Sequence, residues 1–363
     1  MKRKNILLAI GCSKIGGAQK VFATIAKQLV NEGHTVTVVL PEGPLAIILR
    51  KEDIITVPVK YKSLQGIRTI AKLLKRKEID IVNTHLTNCS FLIAVINIFY
   101  RKKICCALHN AIIHEGLGKV QKLIYPFLYF LIYKLSNGII VNSEKNKQHF
   151  IETARIDPDH IRVIYNGINA SEYADAGNVL KQPGQKFQIG YIGRLSVEKG
   201  VIYLIEALTQ LHEIDFECKI IGEGPLRSEL ENEVLSKQLG DRVKFLGFQE
   251  NVVPFFYQMD VFVLPSLNEV LPITIIEAFA LKVVTVAAAV GGVPDLITNE
   301  QTGMLFPAKD TKKLAENIKW IYNNASERQR MIENAYAKFI HTFTSDAMLR
   351  QITDYYDFII YKS

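Results

Sequence analysis

Short apolar strands alternate with helical segments along this chain, and the alternation starts afresh once. The first series contains NILLAIG (5–11), TVTVVL (35–40), IDIVNTH (79–85), KICCALH (103–109) and GIIVNS (138–143). The second series opens with FQIGYIGRL (187–195) and continues with FECKIIGEGP, VKFLGF, VFVLPS and VVTVAAA. Such alternation predicts parallel sheets covered by helices on both faces. We therefore predict an α/β chain with two doubly wound, Rossmann-like domains.

A turn-rich stretch, NGINASEYADAGNVLKQPGQ, separates the two series. Gly, Pro, Asn and Asp are typical of turns and linkers. The chain of 363 residues is also long for one hydrophobic core, because domains usually hold about 100 to 200 residues. The sequence predicts an N-terminal domain over residues 1–167 and a C-terminal domain over residues 168–344.

The net charge of +8 is unevenly distributed. Residues 1–166 contain 25 Lys and Arg against 11 Asp and Glu, a balance of +14, whereas the balance of the remaining residues is −6. A basic half is compatible with nucleic acid, an anionic membrane surface or an acidic substrate. We expect no nucleic-acid partner, because the sequence has no clustered basic recognition helix and no aromatic RNA-binding signature.

The segment VQKLIYPFLYFLIYKL (120–135) combines Tyr and Phe with lysines, as interfacial segments do. Only 11 residues separate Lys122 from Lys134, and a membrane-spanning helix needs about 20 apolar residues. Two interpretations remain open: peripheral contact with the inner membrane surface, and a buried core helix with lysines at its ends.

Cysteine usage indicates a reducing compartment. The five cysteines form an odd set without C-x-x-C spacing, and the short apolar run after Met1 has the length of a strand and not of a signal peptide. We expect a cytoplasmic protein.

Glycine-rich turns follow the first strand of each series, where doubly wound sheets bind ligands. GCSKIGGAQK (11–20) lacks the Lys-Ser/Thr of a Walker A loop and is not G-x-G-x-x-G, so it is either a phosphate-contacting loop or an ordinary tight turn. In YIGRLSVEKG (191–200), Arg194 and Lys199 follow Gly193. Two cations on such a loop favour phosphate binding, with solvated surface cations as the alternative.

The stretch PSLNEVLPITIIEAFA (265–280) carries two carboxylates in an apolar setting. Pro272 suits the first turn of a helix, so Glu269 is predicted on the loop and Glu277 on the helix. Carboxylates are rarely buried without a partner. About five helical residues separate the two by some 8 Å or more, enough to hold different parts of one ligand. A surface glutamate pair is the alternative.

The spacing of Glu269 and Glu277 resembles the E-x7-E motif of the retaining, nucleotide-sugar-dependent glycosyltransferases of the GT-B fold, specifically their family 4. Other landmarks follow in family order: GGAQ at 16, NTH at 83, LHN at 108, VIYNGIN at 163, GRLSVEKG at 193, IGEGP at 222, GGVPDLI at 291 and TGMLFP at 302. The resemblance covers nearly the whole chain, and it implies two Rossmann-like domains that face each other across a cleft.

The resemblance also implies roles for particular residues. Arg194 and Lys199 are expected to hold the diphosphate, Glu269 to contact the transferred sugar, and Glu277 to accept hydrogen bonds from the ribose. His109 matches the active-site histidine of the family, with His85 as a lesser candidate. The other donor-binding positions implied are Gly16, Gly17, Gly193, Glu223, Val270, Leu271, Pro272 and Ile273.

The same resemblance assigns the acceptor to the N-terminal domain, the nucleotide-sugar to the C-terminal domain, and a crossing helix to about residues 345–363. We expect no metal or other cofactor, since the only Asp-x-Asp, at 157–159, lies in a turn. Cations would then stabilise the departing diphosphate, and same-face attack would retain the anomeric configuration. Many relatives have Gly-Phe-Gly where Val270, Leu271 and Pro272 stand, which leaves the donor open; a UDP-sugar is expected over a GDP-sugar.

The leading hypothesis is sugar transfer to a lipid-linked or polysaccharide acceptor in bacterial surface glycan synthesis (capsule, O-antigen or exopolysaccharide), at the inner face of the cell membrane. Two alternatives share the architecture. A nucleotide-sugar 2-epimerase would need no acceptor. The glutamates and cations argue against a non-catalytic sugar-nucleotide-binding subunit, and intact activity after Glu269→Ala would support one.

Overall fold

The computed structural model describes residues 3–108, 119–174 and 186–361. The strands are β1 Asn5–Ile10, β2 Thr35–Leu40, β3 Ile55–Pro58, β4 Ile81–His85, β5 Ile104–Ala107, β6 Gly138–Val141, β7 Ile161–Val163, β8 Phe187–Ile192, β9 Phe216–Ile221, β10 Val243–Gly247, β11 Val261–Leu264, β12 Thr285–Ala288 and β13 Met304–Phe306. The helices are α1 Gly17–Asn31, α2 Pro44–Lys51, α3 Leu64–Leu74, α4 Thr87–Asn97, α5 Lys119–Leu135, α6 Glu144–Ala154, α7 Ser171–Ala174, α8 Val201–Leu208, α9 Arg227–Ser236, α10 Val253–Phe256, α11 Ile273–Ala280, α12 Val293–Leu296, α13 Thr311–Asn323, α14 Ala325–Lys338 and α15 Ser345–Tyr361. Short 3-10 turns cover Pro158–His160 and Val197–Lys199, and a π-helical turn covers Phe339–Phe343.

The chain divides into two compact units. Unit 1 comprises Met1–Ile168 and Thr344–Ser363, and unit 2 comprises Asn169–Phe343. The chain passes from one unit to the other after Ile168 and after Phe343. Each of these points lies one residue from a domain boundary given in the sequence-based prediction. The last helix, α15, therefore belongs to unit 1.

Unit 1 contains a seven-stranded parallel sheet in the order β3-β2-β1-β4-β5-β6-β7. The sheet forms because Ile, Val and Leu fill the strands, and its central strands β4, β5 and β6 are buried along their whole length. The helices cover it with apolar faces; α1, for example, buries Val21, Phe22, Ile25 and Leu29. Strand order reverses beside β1, which pairs with both β2 and β4.

The last helix packs on unit 1 through polar as well as apolar contacts. Lys4 Nζ, before β1, lies 3.1 Å from a carboxylate oxygen of Asp357. The Tyr355 hydroxyl donates to the carbonyl oxygen of His160 at 3.0 Å. A Cβ at Gly138 would lie 2.5 Å from that hydroxyl, so β6 needs glycine where the tyrosine passes.

Unit 2 contains a six-stranded parallel sheet in the order β10-β9-β8-β11-β12-β13. Its order reverses between β8 and β11, which are sequence-distant but paired neighbours. The loops after β8 and β11 therefore start side by side at the carboxyl edge of the sheet, where α/β folds bind ligands. These two loops carry Lys199 and Glu269.

The predicted α/β architecture with two doubly wound parallel sheets is confirmed. The sequence pattern did not predict β3, β7 and β13, each of which lies at a sheet edge. Such strands are short and partly exposed, so they lack the continuous apolar run of a central strand.

Helix α5 contains the aromatic segment 120–135 and has a buried side and an exposed side. Tyr129 and Ile132 are buried, whereas Ile124, Phe127 and Phe130 are exposed by 46%, 61% and 38%. Among the helices in the described ranges, none has both the length and the apolar composition to cross a bilayer.

Candidate active site

The loops that follow β8 and β11 are joined to each other in unit 2. Gly200 has φ +61°, and a Cβ there would lie 2.3 Å from the carbonyl oxygen of Pro265, so glycine permits the close approach. The backbone N–H of Leu267 donates to the carbonyl oxygen of Glu198 at 2.8 Å. These contacts fix the two loops in register.

Lys199 and Glu269 meet across that junction. Lys199 Nζ donates to Glu269 Oε1 at 2.6 Å, and the fully buried Ser266 hydroxyl donates to the same oxygen at 2.8 Å. The Glu269 side chain is 8% exposed and the Lys199 side chain 25% exposed. A carboxylate this buried is stable because it accepts hydrogen bonds from a cation and a hydroxyl.

Gly291, after β12, supports the backbone of Glu269. Its φ is +56°, and a Cβ there would lie 1.5 Å from the carbonyl oxygen of Glu269. Any larger residue would displace the loop that carries the carboxylate. The close approach of the Glu269 backbone explains why the segment GGVPDLI begins with a glycine.

The loops after β8 and β9 form a second glycine-dependent junction. The N–H of Leu195 donates to the carbonyl oxygen of Glu223 at 3.0 Å, and a Cβ at Gly222 would lie 1.9 Å from the carbonyl oxygen of Gly193. The Arg194 side chain is exposed beside this junction. It is therefore accessible to an anion at the strand ends.

Glu223, a predicted donor-binding residue, and Arg194, a predicted diphosphate ligand, have specific partners here. The Glu223 carboxylate forms an ion pair with Arg227. The hydroxyl of Tyr191, the second-to-last residue of β8, donates to the carbonyl oxygen of Arg194 at 2.9 Å. Burial raises the pKa of Tyr191 well above its usual value, and the negative charge of Glu269 adds to that effect. Tyr191 therefore stays a neutral donor that holds the arginine backbone.

Glu277 lies on α11, as predicted, and its side chain is buried at 3% exposure. The Tyr173 hydroxyl donates to Glu277 Oε1 at 3.0 Å. The Tyr257 hydroxyl in turn donates to the carbonyl oxygen of Tyr173 at 2.9 Å. The buried carboxylate therefore has a hydrogen-bonded partner from the first residues of unit 2.

The segment between the two glutamates starts helix α11. Pro272 is its N-cap residue with φ −72° and ψ 118°, and Ile273 is the first helical residue. The prediction placed Pro272 within the first turn, so the helix begins one residue later than expected. Leu271 is buried, and Val270 is half-buried.

In unit 1, Gly16 and Gly17 lie at the start of α1. Gly16 is the extended N-cap residue, without a side-chain cap, and Gly17 is the first helical residue. A Cβ at Gly16 would lie 3.0 Å from Oε1 of Gln19. Gly16 has no side chain that could accept hydrogen bonds from the first backbone N–H groups of α1. Such a helix N-terminus is suited to binding an anion.

The two predicted histidines have different outcomes. His109 lies outside the described residues. His85 ends β4 at 1% exposure, forms a 2.8 Å hydrogen bond with Asn83 Oδ1, and meets the Phe22 ring edge-on at 4.9 Å between centroids. It borders a cavity of about 20 Å³, the size of one water. These contacts hold the His85 ring against helix α1.

The acidic pair at 157–159 caps local structure. Asp157 Oδ1 accepts from the N–H of Asp159 at 3.0 Å, at the start of the 3-10 turn. Within the described ranges, no cluster of three or more His, Cys, Asp or Glu is arranged to hold a metal ion.

Sequence comparison identifies the family. The family model described as Glycosyl transferases group 1 matches residues 175–338, and the one described as Glycosyltransferase Family 4 matches residues 15–172. The chain belongs to this glycosyltransferase family. The predicted family is thereby confirmed.

Individual relatives and structures resemble the glycosyltransferase over its full length. It is 26% identical to UDP-Gal:alpha-D-GlcNAc-diphosphoundecaprenol alpha-1,3-galactosyltransferase of Escherichia coli, over 96% of this chain and 95% of that one. It is 24% identical to the Escherichia coli O-antigen biosynthesis glycosyltransferase WclY, over 97% and 98%. A Rickettsia africae glycosyltransferase structure matches with TM-score 0.87 and 23% identity over 100% of both chains. Anabaena HepE, solved with UDP, matches with TM-score 0.85 and 22% identity over 97% and 99%. These structural likenesses confirm the GT-B fold.

Sequence reasoning missed three supporting residues of the glycosyltransferase. Ser266 could have been noticed, because it directly follows β11 and precedes Glu269 by three positions. Gly291 stood in a recognised motif, but its contact with Glu269 is not visible in the sequence. Tyr173 gave no signal, since 104 positions separate it from Glu277.

Proposed function

We propose that this glycosyltransferase moves a sugar from a nucleotide diphosphate donor, a UDP-sugar, to a lipid-linked or polysaccharide acceptor in bacterial surface glycan synthesis. Unit 2 binds the donor. The observation that carries the proposal is the 2.6 Å ion pair between Lys199, on the loop after β8, and Glu269, on the loop that leads to Glu277. It combines a cation for phosphate with acceptors for hydroxyl groups at one sheet edge.

The donor class is supported by the relatives. The Escherichia coli transferase is named for UDP-Gal and a diphosphoundecaprenol acceptor, and HepE was solved with UDP and with UDP-glucose. A Campylobacter jejuni relative, 24% identical over 88% of this chain and 89% of that one, is named for an undecaprenol-linked glycan. A nucleotide-sugar and a lipid-linked acceptor therefore fit this chain as well.

In the proposed reaction, Arg194 and Lys199 bind the diphosphate and stabilise the negative charge that develops as the bond to the sugar breaks. A fixed donor aimed at developing charge contributes about 10² to 10³ in rate. Glu269 accepts hydrogen bonds from the sugar hydroxyls while it holds Lys199. Val270, Leu271, Pro272 and Ile273 line the approach between the two glutamates.

We expect same-face attack, as the resemblance to the retaining glycosyltransferases implies. The acceptor hydroxyl attacks the anomeric carbon on the face that the diphosphate leaves, and the departing phosphate oxygen takes the proton of that hydroxyl. The anomeric configuration is then retained. By the family resemblance, Gly16 and Gly17 stay the predicted phosphate contacts of unit 1, and His109 stays the predicted active-site histidine. The cations of unit 2 do the work that a metal ion does in other transferases, so no metal is required.

Unit 1 binds the acceptor at the inner face of the cell membrane. Its net positive charge suits an anionic lipid surface. Ile124, Phe127 and Phe130 form an exposed apolar stripe on α5, and Lys134 Nζ lies 5.5 Å from the centroid of the Phe130 ring. Aromatic groups with an adjacent cation are typical of interfacial contacts.

A donor panel followed by product analysis tests the proposal. With EDTA present, a preferred UDP-sugar is expected to stabilise the protein by about 2.7 kcal/mol at a hundredfold excess over its Kd. Proton NMR of the product on a diphosphate-lipid acceptor is expected to show the anomer of the donor. Sugar released as a 2-epimer without acceptor, an inverted product, or binding that requires a divalent cation would contradict it.

A further inference from the structure

The first helix of unit 2, α7, places a tyrosine on the buried glutamate of α11. The Tyr173 hydroxyl lies 3.0 Å from Glu277 Oε1, and Glu277 is only 3% exposed. Tyr173 is the fifth residue of unit 2, so this contact joins the start of the unit to the middle of its ligand-binding edge.

The segment that carries Tyr173 is itself held in place. The Tyr257 hydroxyl, just after α10, donates to the carbonyl oxygen of Tyr173 at 2.9 Å. That bond fixes the backbone of Tyr173 and leaves its hydroxyl directed to the carboxylate. Tyr257 therefore holds the backbone of Tyr173, and Tyr173 in turn holds the carboxylate of Glu277.

We propose that Tyr173 is a positioning residue for Glu277 and sets how strongly the enzyme distinguishes a ribonucleotide from a deoxyribonucleotide. The inference rests on the proposed function, in which Glu277 binds the ribose. The terminal torsion of a glutamate is broad, so the carboxylate needs a fixed partner to hold one orientation. A ribose diol offers two donors at a set spacing, and a pre-oriented carboxylate loses less freedom when it binds them.

A purely structural role for Tyr173 predicts a different pattern. If the hydroxyl only satisfied a buried acceptor, its removal would lower stability and weaken every nucleotide alike. If it orients the carboxylate, its removal weakens only those ligands that present the full diol. The distinction between ligands therefore separates the two roles.

Isothermal titration calorimetry with UDP, 2′-deoxy-UDP and 3′-deoxy-UDP tests the inference on the full chain. Tyr173→Phe is expected to weaken UDP about fivefold to tenfold and the deoxy ligands less than about twofold, since one oriented contact is lost. In a Glu277→Gln background the same change is expected to have no further effect beyond about twofold. In turnover, KM for the donor rises while kcat changes little, because ribose binding is equal in ground and transition states.

Tyr355→Phe is the matched control, because it removes a tyrosine hydroxyl that also donates to a backbone carbonyl oxygen, that of His160, but lies in unit 1 and does not hold the segment of Tyr173. It is expected to keep the discrimination between UDP and the deoxy ligands. Three results would overturn the inference: equal weakening of all three ligands by Tyr173→Phe, UDP binding by Tyr173→Phe that is unchanged or tighter, or the same loss of discrimination in Tyr355→Phe. Unchanged UDP binding by Glu277→Gln would instead refute the ribose role in the proposed function. Circular dichroism melts verify that each variant is folded.

Discussion

Lys199 Nζ lies 2.6 Å from Oε1 of Glu269, across loops that follow two neighbouring strands of unit 2. The two residues are 70 positions apart, and the reversal of strand order between β8 and β11 brings them together. Lys199, a predicted diphosphate ligand, and Glu269, the first glutamate of the E-x7-E motif, therefore form one hydrogen-bonded pair.

Lys199→Met tests the catalytic role of the Lys199–Glu269 pair. We expect kcat to fall about 10²-fold to 10³-fold, because a donor to the departing diphosphate is lost. Stability should fall by about 1 to 2 kcal/mol, less than for a fully buried pair because the lysine is partly exposed. Lys219→Met is the matched control in the same unit, since Lys219 pairs with Glu217 at 3.5 Å on β9. Similar turnover by Lys199→Met and this control would exclude the role.

Gly291→Ala tests whether the Glu269 backbone needs the close approach of a glycine. The added Cβ would overlap the carbonyl oxygen of Glu269, so we expect a lower melting temperature and at least about a 10²-fold loss of turnover. Gly240→Ala is the control, because its Cβ would make only an ordinary 3.5 Å contact with Leu235. Wild-type turnover by Gly291→Ala would show that the loop can shift without consequence.

Phe127→Ser tests the membrane contact of α5. Burying a phenylalanine is worth about 1.5 to 3 kcal/mol, so the variant should bind vesicles of phosphatidylglycerol and phosphatidylethanolamine about tenfold more weakly in a sedimentation assay. Phe248→Ser changes a ring that is 74% exposed on unit 2 and should bind as the wild type does. If both variants sediment like the wild type, α5 is not the contact.

Acidification should destabilise unit 1 through His34. Burial lowers the pKa of His34 from 6.5, and the charge of Lys4 lowers it further, against an opposing effect of Asp357. As pH falls below about 6.5, the unfolded chain takes up a proton that the folded chain does not, so stability decreases. Melting temperatures at pH 7.5 and pH 5.5 should therefore differ more for the wild type than for His34→Gln. His212→Gln, an exposed control in unit 2, should retain the wild-type difference; equal differences in all three proteins would refute the assignment.

The sequence predicted those features that depend on local pattern. The buried central strands, the loop position of Glu269 and the helical position of Glu277 all follow from apolar runs and from the proline between them. The edge strands β3, β7 and β13 were missed because partial exposure interrupts their apolar pattern. The partners of the glutamates were also missed, since Tyr173 and Gly291 reach them through the fold and not through sequence spacing.

The most direct test of the account is a crystal structure of the protein with UDP. We expect the diphosphate within hydrogen-bonding distance of Arg194 and Lys199, and the ribose hydroxyls on the carboxylate of Glu277. A diphosphate bound away from both cations, or a ribose that does not contact Glu277, would contradict the assignment of the donor site.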